Sequence, residues 1–378
     1  MKVSIKRALS SVVGILLLAP ASTVDAQQAL KVVICKNNSS GGILLRNKKC
    51  KSGETKLSNI SALTGTKGTD GADGSLRIYG DGSAGELYVT TGISLSDPNQ
   101  QFTNCTITAT GSLQVESGAT IRCSGTFTNL GTLRVTQEAY GSATEANSGA
   151  MTVPARNAPA AAHVARPAGE GEFGSSSLTL AGGYAGLAYD QSARRAILKP
   201  GVTGGGPGGG GSRTSEAQPG GGSVTILAAG AISNEGTITA PGASPSSGNG
   251  TGGSAGGIII IASKTSISNT GTISATGGNG SNSGYDVGAG GGGAGGIVHL
   301  LAPSVSQGTI TVTGGTKGTS TTAVTSPYRT AGGGGGACGG HGGNGAYVGN
   351  SPTNTQFGAE NGESGSTFVT LADPTSLF

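Results

Sequence analysis

Tryptophan is absent from this 378-residue chain, aromatic residues make up 4% of it, and charged residues 11%. Ordinary domains carry about 25% charged residues. So few large apolar side chains exclude a core of the usual globular kind. So little charge also excludes a chain kept disordered by its own repulsion. Long apolar runs are missing too. Residues 12–19 are too short to span a bilayer core of ~30 Å as a helix, and no later segment does better. Histidine occurs only as His163, His299 and His341, and no group of His, Cys and carboxylates has metal-ligand spacing. The glycine runs lack the Lys-Ser/Thr ending of a phosphate loop.

What the chain has instead is glycine, 74 residues of it, with small and β-branched residues that suit thin repetitive β-structure. The start "MKVSIKRALSSVVGILLLAPASTVDAQQ" combines Lys2, Lys6 and Arg7 with a short apolar run and a "VDA" site. That is the layout of a secretory signal peptide over 1–26, cleaved after Ala26. The mature protein is therefore expected outside the cytoplasm, secreted or on the cell surface, with no integral membrane segment. In that compartment cysteines pair. Proximity favours Cys35 with Cys50 and Cys105 with Cys123. Cys338 is left as a free thiol, a buried small residue or a link to another chain.

Charge is segregated. Residues 31–67 hold eight basic residues and one acid, Glu54, whereas the chain beyond them holds twelve basic and seventeen acidic residues. The segment 27–64 reads as a small basic head: "KVVIC" and "GILLR" form a hairpin clasped by Cys35–Cys50. Lys48, Lys49 and Lys51 are its candidate contacts to an anionic polymer, and outside a cell anionic polysaccharides or lipid headgroups come before nucleic acid. The alternative is a solvated lysine face that only keeps the module soluble. Residues 65–85 follow as a linker with glycine at 65, 68, 71 and 74, a collagen-like period without proline. Asp70, Asp73 and Asp81 there read as solvated linker acids or a weak Ca²⁺ cluster.

A first β-rich part covers 86–140 and an irregular Ala/Pro/Gly-rich insertion covers 141–220. Over 221–320 one word recurs: "AISNEGTITAPG", "SISNTGTISATG" and "SVSQGTITVTG". Its glycine stands at 236, 271 and 308, spacings of 35 and 37 residues. "FTNLGTLRV" carries the same word at Gly131, 105 residues before Gly236, a spacing equal to three periods. A Gly-rich C-terminal region, 321–378, ends the chain. Alternation places Val224, Ile226, Ile232 and Ile238 inward. Their counterparts are Ile259, Ile261, Ile267 and Ile273, then Val298, Leu300, Val305 and Ile310. Equal positions stacked on one axis make an all-β, right-handed parallel β-helix, or β-solenoid, in which each unit buries its apolar face only against its neighbours. The glycine stretches leave at one corner, either as flexible loops or as extended three-fold polyglycine helices packed side by side. His299 shares an outward column with Thr225 and Ile260, which predicts a surface position.

β-Helices that cleave polysaccharides cluster acids and bases on one face. Glu235, Asp286 and Lys264 stand isolated here, so no catalytic residue, metal or cofactor is expected. One surface array remains, Thr237, Thr239, Thr272, Ser274, Thr309 and Thr311, which flank the inward Ile of each unit. It resembles the Thr-x-Thr faces of ice-binding solenoids, and it is also what an exposed β-strand ordinarily carries.

The layout as a whole resembles secreted bacterial glycine-rich repeat surface proteins: a Cys-clasped head, a collagen-like stub and a β-solenoid. The glycine runs are also similar to the tips of phage tail-fibre adhesins and to the glycine-rich ectodomain of some receptor kinases. The likeness spans 30–85 and 203–345, rests on composition and period, and transfers no functional residue. It implies a non-enzymatic adhesive or structural protein of the cell surface or matrix, with self-association open. An ice-binding protein and a polysaccharide-binding or polysaccharide-degrading β-helix are the alternatives.

Overall fold

The computed structural model describes residues 32–39, 43–47, 49–56, 78–95, 99–137, 173–175, 182–188, 190–200, 204–206, 208–209, 211, 219–246, 250–282, 287–319, 328–348 and 356–378. The expected signal peptide, the linker up to residue 77 and most of the first half of the 141–220 insertion lie outside these residues. The chain divides into two compact units, Met1–Asp70 and Gly71–Phe378.

In the first unit, Val32–Asn37 pairs antiparallel with Ile43–Asn47 on one side and Glu54–Lys56 on the other. The expected hairpin is present, with a third strand added. Cys35 and Cys50 are disulfide-bonded, which helps hold a sheet too small for a core of its own.

The second unit is a parallel β-helix. Six successive turns each place one strand in each of three six-stranded sheets. The first sheet contains Leu87–Val89, Cys105–Ile107, Phe127–Asn129, Ile232–Asn234, Ser266–Asn269 and Ser304–Ser306. The second contains Gly92–Leu95, Ser112–Val115, Thr132–Val135, Thr237–Thr239, Thr272–Ser274 and Thr309–Thr311. The third contains Gln101–Phe102, Ala119–Cys123, Ser223–Ala228, Ile258–Ser263, Ile297–Leu301 and Ser366–Thr370. The predicted columns form: Ile232, Ile267 and Val305 stack, as do Ile238, Ile273 and Ile310. Val224, Ile259 and Val298 form a third column, and Ile226, Ile261 and Leu300 a fourth. They share one core with Leu113, Phe127 and Leu133. Burying each such side chain contributes about 1.5–3 kcal/mol. Cys105 and Cys123, both fully buried, join the first and third sheets across that core in the second turn.

The 105-residue spacing has a different origin from the one it suggests. Asn129 pairs directly with Asn234 in the first sheet, so the two words belong to adjacent turns. The chain between them, 136–222, is one long excursion. Every major excursion leaves at the same corner, between the second and third sheets: 136–222, 240–257, 275–296 and 312–365. The last of these returns as Ser366–Thr370, which completes the sixth turn.

The excursions are ordered where described. Along 252–258, the amides of Gly252, Ala255 and Ile258 donate to the carbonyls of Gly209, Gly206 and Gly222. Those of Gly253 and Gly256 donate to Gly291 and Ala294, and those of Ser254 and Gly257 to Ala243 and Ala240. Three neighbours are reached in rotation, every third residue. Along 290–296 the same rotation recurs: Gly290, Gly293 and Gly296 donate to Ser281, Gly278 and Ala275. Gly291 and Ala294 donate to Gly333 and Gly336, and Gly292 and Gly295 to Glu360 and Glu363. A β-strand bonds in two directions; three directions require an extended helix of three residues per turn. Of the two readings of the glycine stretches, the packed polyglycine helices are therefore correct. The spacing leaves no room for side chains. A β-carbon on Gly253 would lie 2.0 Å from the carbonyl oxygen of Gly278, and one on Gly291 would lie 2.1 Å from that of Gly343.

The outer face of the third sheet is covered as well, by Ile78, Tyr79 and Ile197 together with the lattice residues Ala255, Ala294 and Cys338. Ser223–Ala228, Ile258–Ser263 and Ile297–Leu301 are buried at every position, which accounts for the unbroken run "IIIIA". The outward residues Leu227, Ile258, Ile260, Ile297 and Leu301 form a second core with Ala255, Ala294, Cys338 and Phe368. Cys338 is a buried small residue of this layer, fully enclosed, with its thiol pushed up to about 12 by burial. A link to another chain is excluded by that enclosure. His299 is likewise not on the surface. It is 2% exposed, its Nε2 lies 2.9 Å from Thr370 Oγ1, and its ring tilts against Phe368. The covering elements are the short helix Gln191–Ala196, capped by Asp190, and the strand Ser366–Thr370. Arg195 from that helix donates to the Val369 carbonyl and lies over the Phe368 ring.

Two outcomes follow from this layer. Gly253→Ala is expected to lower unfolding free energy by about 3 kcal/mol, whereas Gly92→Ala, with open space at its β-carbon, stays within about 0.5 kcal/mol. Urea denaturation of both variants checks this. Burial, then the nearby Arg195 charge, lower the His299 pKa from 6.5 to about 4. A depressed folded pKa means stability that is present above pH 6.5 and is lost as pH falls through about 4, roughly 3 kcal/mol in all. Thermal unfolding against pH should show a slope between those limits that is shallower in His299→Leu.

Candidate functional site

The recurring word is explained at the corner between the first and second sheets. Asn129, Asn234 and Asn269 point inward in adjacent turns and are buried. Asn129 Nδ2 donates to Asn234 Oδ1, and Asn234 Nδ2 to Asn269 Oδ1, both at 2.7 Å. Asn269 Nδ2 donates to the carbonyls of Gln307 and Thr309. The ladder pairs amides inside an otherwise apolar core, leaving only Asn129 Oδ1, at its first rung, without a partner among the ladder's atoms. Two residues on, Gly131, Gly236 and Gly271 stack so closely that a β-carbon would lie 2.0–2.2 Å from a carbonyl of the turn below. In the last turn the word is one residue shorter, and Gly308 absorbs the loss with φ +54°. The sequence carries the signal, Asn-x-Gly-Thr in three copies, although the alternation of apolar residues does not by itself point to the asparagine.

The predicted hydroxyl array exists as two columns on the outer face of the second sheet. Thr237, Thr272 and Thr309 are in register, as are Thr239, Ser274 and Thr311. The first column extends back through Thr132 and Ser112, while the second meets Arg134 and Gln114. Turns repeat at about 4.8 Å. Thr309 is exposed and the other five are half-buried by their neighbours. A parallel column, Thr106, Thr128, Ser233, Ser268 and Ser306, runs on the first sheet.

In the basic head, Lys49, Lys51 and Lys56 are exposed; Lys48 lies outside the described residues. Glu54, the one acid, is taken up by Arg46. Arg46 Nη2 and Nε donate to its carboxylate, and the Lys51 amide donates to Oε2 at 2.9 Å. These bonds, that of Arg46 first, lower the Glu54 pKa from 4.5 to about 2. The lysines therefore face solvent without a competing carboxylate. Cys35, Cys50 and Glu54 lie close enough to hold a metal, but the disulfide removes both thiolates. Of the linker acids, Asp81 accepts from the Ser83 amide in a local turn, and Asp70 and Asp73 lie outside the described residues.

A third surface was not foreseen. On the glycine lattice, Tyr184 is 76% exposed and Tyr347 41% exposed. They stand on neighbouring segments, held by the Gly345 amide donating to the Gly183 carbonyl and the Ala185 amide to Asn344 Oδ1. Asn344 Nδ2 donates to Glu360 at 2.7 Å, beside them. Among the described residues no helix is long and apolar enough to cross a membrane.

No family model, curated protein or solved structure matches this chain.

The asparagine ladder carries a direct test. Asn234→Ala removes two buried side-chain bonds and is expected to cost about 2–3 kcal/mol in urea denaturation. Thr272→Ala, in the surface column beside it, should change stability by less than about 0.5 kcal/mol.

Proposed function

We propose that this is an exported, non-enzymatic binding protein of the cell surface or extracellular matrix, adhesive in action. In this reading the solenoid and its glycine lattice form a rigid mount. The observation that carries it is the single corner of exit. The described parts of the major excursions meet in one lattice, on which Tyr184 and Tyr347 stand exposed near Asn344 and Glu360. Exposed tyrosine on a locked backbone offers an apolar face at little entropic cost, and the amide and carboxylate offer polar partners, a combination suited to glycans. The two disulfides support an oxidising compartment. In the head, the unopposed Lys49, Lys51 and Lys56 support anchoring to an anionic polysaccharide. Exposed pairs are worth about 0–1 kcal/mol each, so only the cluster would hold.

A second reading has one observation in its favour: the hydroxyl columns keep strict register over Thr237, Thr272 and Thr309. Such a flat array suits an ordered water lattice. Arg134 and Gln114 cut its second column short, which makes it the weaker candidate.

A glycan array and whole-cell binding with the mature chain test the proposal. Tyr184→Ser with Tyr347→Ser should reduce glycan binding about tenfold or more, a loss of about 1.4 kcal/mol or more. Replacing Lys49, Lys51 and Lys56 with Gln should abolish a retention on anionic polymer that fades toward 1 M salt, where the Debye length is about 3 Å. Binding unchanged in both variants refutes the two surfaces, turnover of a polymer refutes the non-enzymatic reading, and shaping of ice lost in Thr272→Tyr installs the second reading.

A further inference from the structure

The two ends of the solenoid are open in the same columns. In the second sheet one inward column runs Ile93, Leu113, Leu133, Ile238, Ile273, Ile310. Its four interior members are fully buried, Ile93 is 39% exposed, and Ile310 is only partly covered. The next column begins at Leu95 and Val115 and ends, through Ala240 and Ala275, at Val312. Again the interior is buried and both terminal residues, Leu95 and Val312, are only partly covered. At the first turn Leu87, Val89 and Phe102 are buried, so the opening there is confined to the second sheet.

The main chain is open there too, as it is at the end strands of all three sheets among the described residues. Among the described residues, Gly92–Leu95 and Thr309–Thr311 each have a strand neighbour on one side only. An edge strand presents unpaired amides and carbonyls that template another strand. Proteins usually block such edges with lysine, proline or an inward charge. Neither edge carries one: the residues are Gly-Ile-Ser-Leu at one end and Thr-Ile-Thr at the other.

We infer that a second copy of this chain docks head to tail on the second sheet. Gly92–Leu95 of one copy adds in parallel beside Thr309–Thr311 of another. Ile93 then stacks on Ile310 and Leu95 on Val312, and both columns continue with the residue type and chain direction they have inside each copy. A contact between like ends would instead set the edges antiparallel, against the parallel order of the sheet. Because the two contacting surfaces differ, the contact does not close on itself and repeats into a row of copies. The contact is short, so the association is reversible. The consequence for a binding protein is several lattice surfaces carried side by side, which raises avidity without any new ligand contact.

Sedimentation equilibrium of the mature chain should give a mass that rises with concentration. Ile93→Lys and Ile310→Lys each block one end, at positions already partly exposed, and circular dichroism checks that both fold. Each alone should remain a single chain. An equal mixture should give pairs and nothing longer, because one competent end remains on each. In a separate variant, Ser94→Cys with Thr311→Cys should yield ladders of disulfide-linked chains on a non-reducing gel. A wild-type chain that stays single at every concentration overturns the inference. So does self-pairing of either blocked variant, or a disulfide-linked dimer from Thr311→Cys alone, since both mark contact between like ends.

Discussion

In the glycine lattice a carbonyl oxygen of the neighbouring segment occupies the place where a β-carbon would stand. At Gly253, Gly291 and many related positions the separation would be near 2 Å, so any side chain forces the segments apart. Close approach is what lets each segment donate amides in three directions, and this satisfies a backbone that would otherwise be buried without partners. The rest of the second unit depends on it. A three-fold segment reaches neighbours on all sides, so excursions from different turns merge into one layer. That layer contributes Ala255, Ala294 and Cys338 to a second core, which with Ile78, Tyr79 and Ile197 lets the third sheet be buried on both faces.

The solenoid supplies the other half of the arrangement. Its core is made of Ile, Val and Leu columns one residue wide, with a buried asparagine ladder along the corner that joins the first two sheets. The ladder fixes register, because a slip of one residue would leave amides unpaired in an apolar core. Fixed register in turn delivers every excursion to the same corner at the same height as its neighbours. An ordered lattice that carries the exposed Tyr184 and Tyr347 and few charges is suited to presenting a binding surface, which is the physical basis of the proposed adhesive reading.

Much of this could be read from the chain. Alternation in "SVTIL", "IIIIA" and "IVHLL" cannot by itself assign two buried faces. It did assign the inner one correctly, because Val224, Ile259 and Val298 occupy one parity in three copies of a word. The cysteine pairs followed from proximity, since 15 and 18 residues close small loops. His299 could not be placed. Its column is outward in the strand, and only the helix Gln191–Ala196 and the lattice, drawn from distant excursions, bury it. The spacing of 105 counts no turns, for a related reason: an excursion of any length can separate adjacent turns.

By itself, then, the sequence determined the β-class, the repeating unit and its inward columns, because these depend on local periodicity and on side-chain size. Only the tertiary structure decided that the glycine stretches are a lattice rather than loops. It also decided that the outer face of the third sheet is a second core, and that the exposed tyrosines stand on neighbouring segments. Each of these depends on which segments become neighbours across long excursions, and main-chain hydrogen bonds between glycines carry no side-chain signature from which that choice could be read.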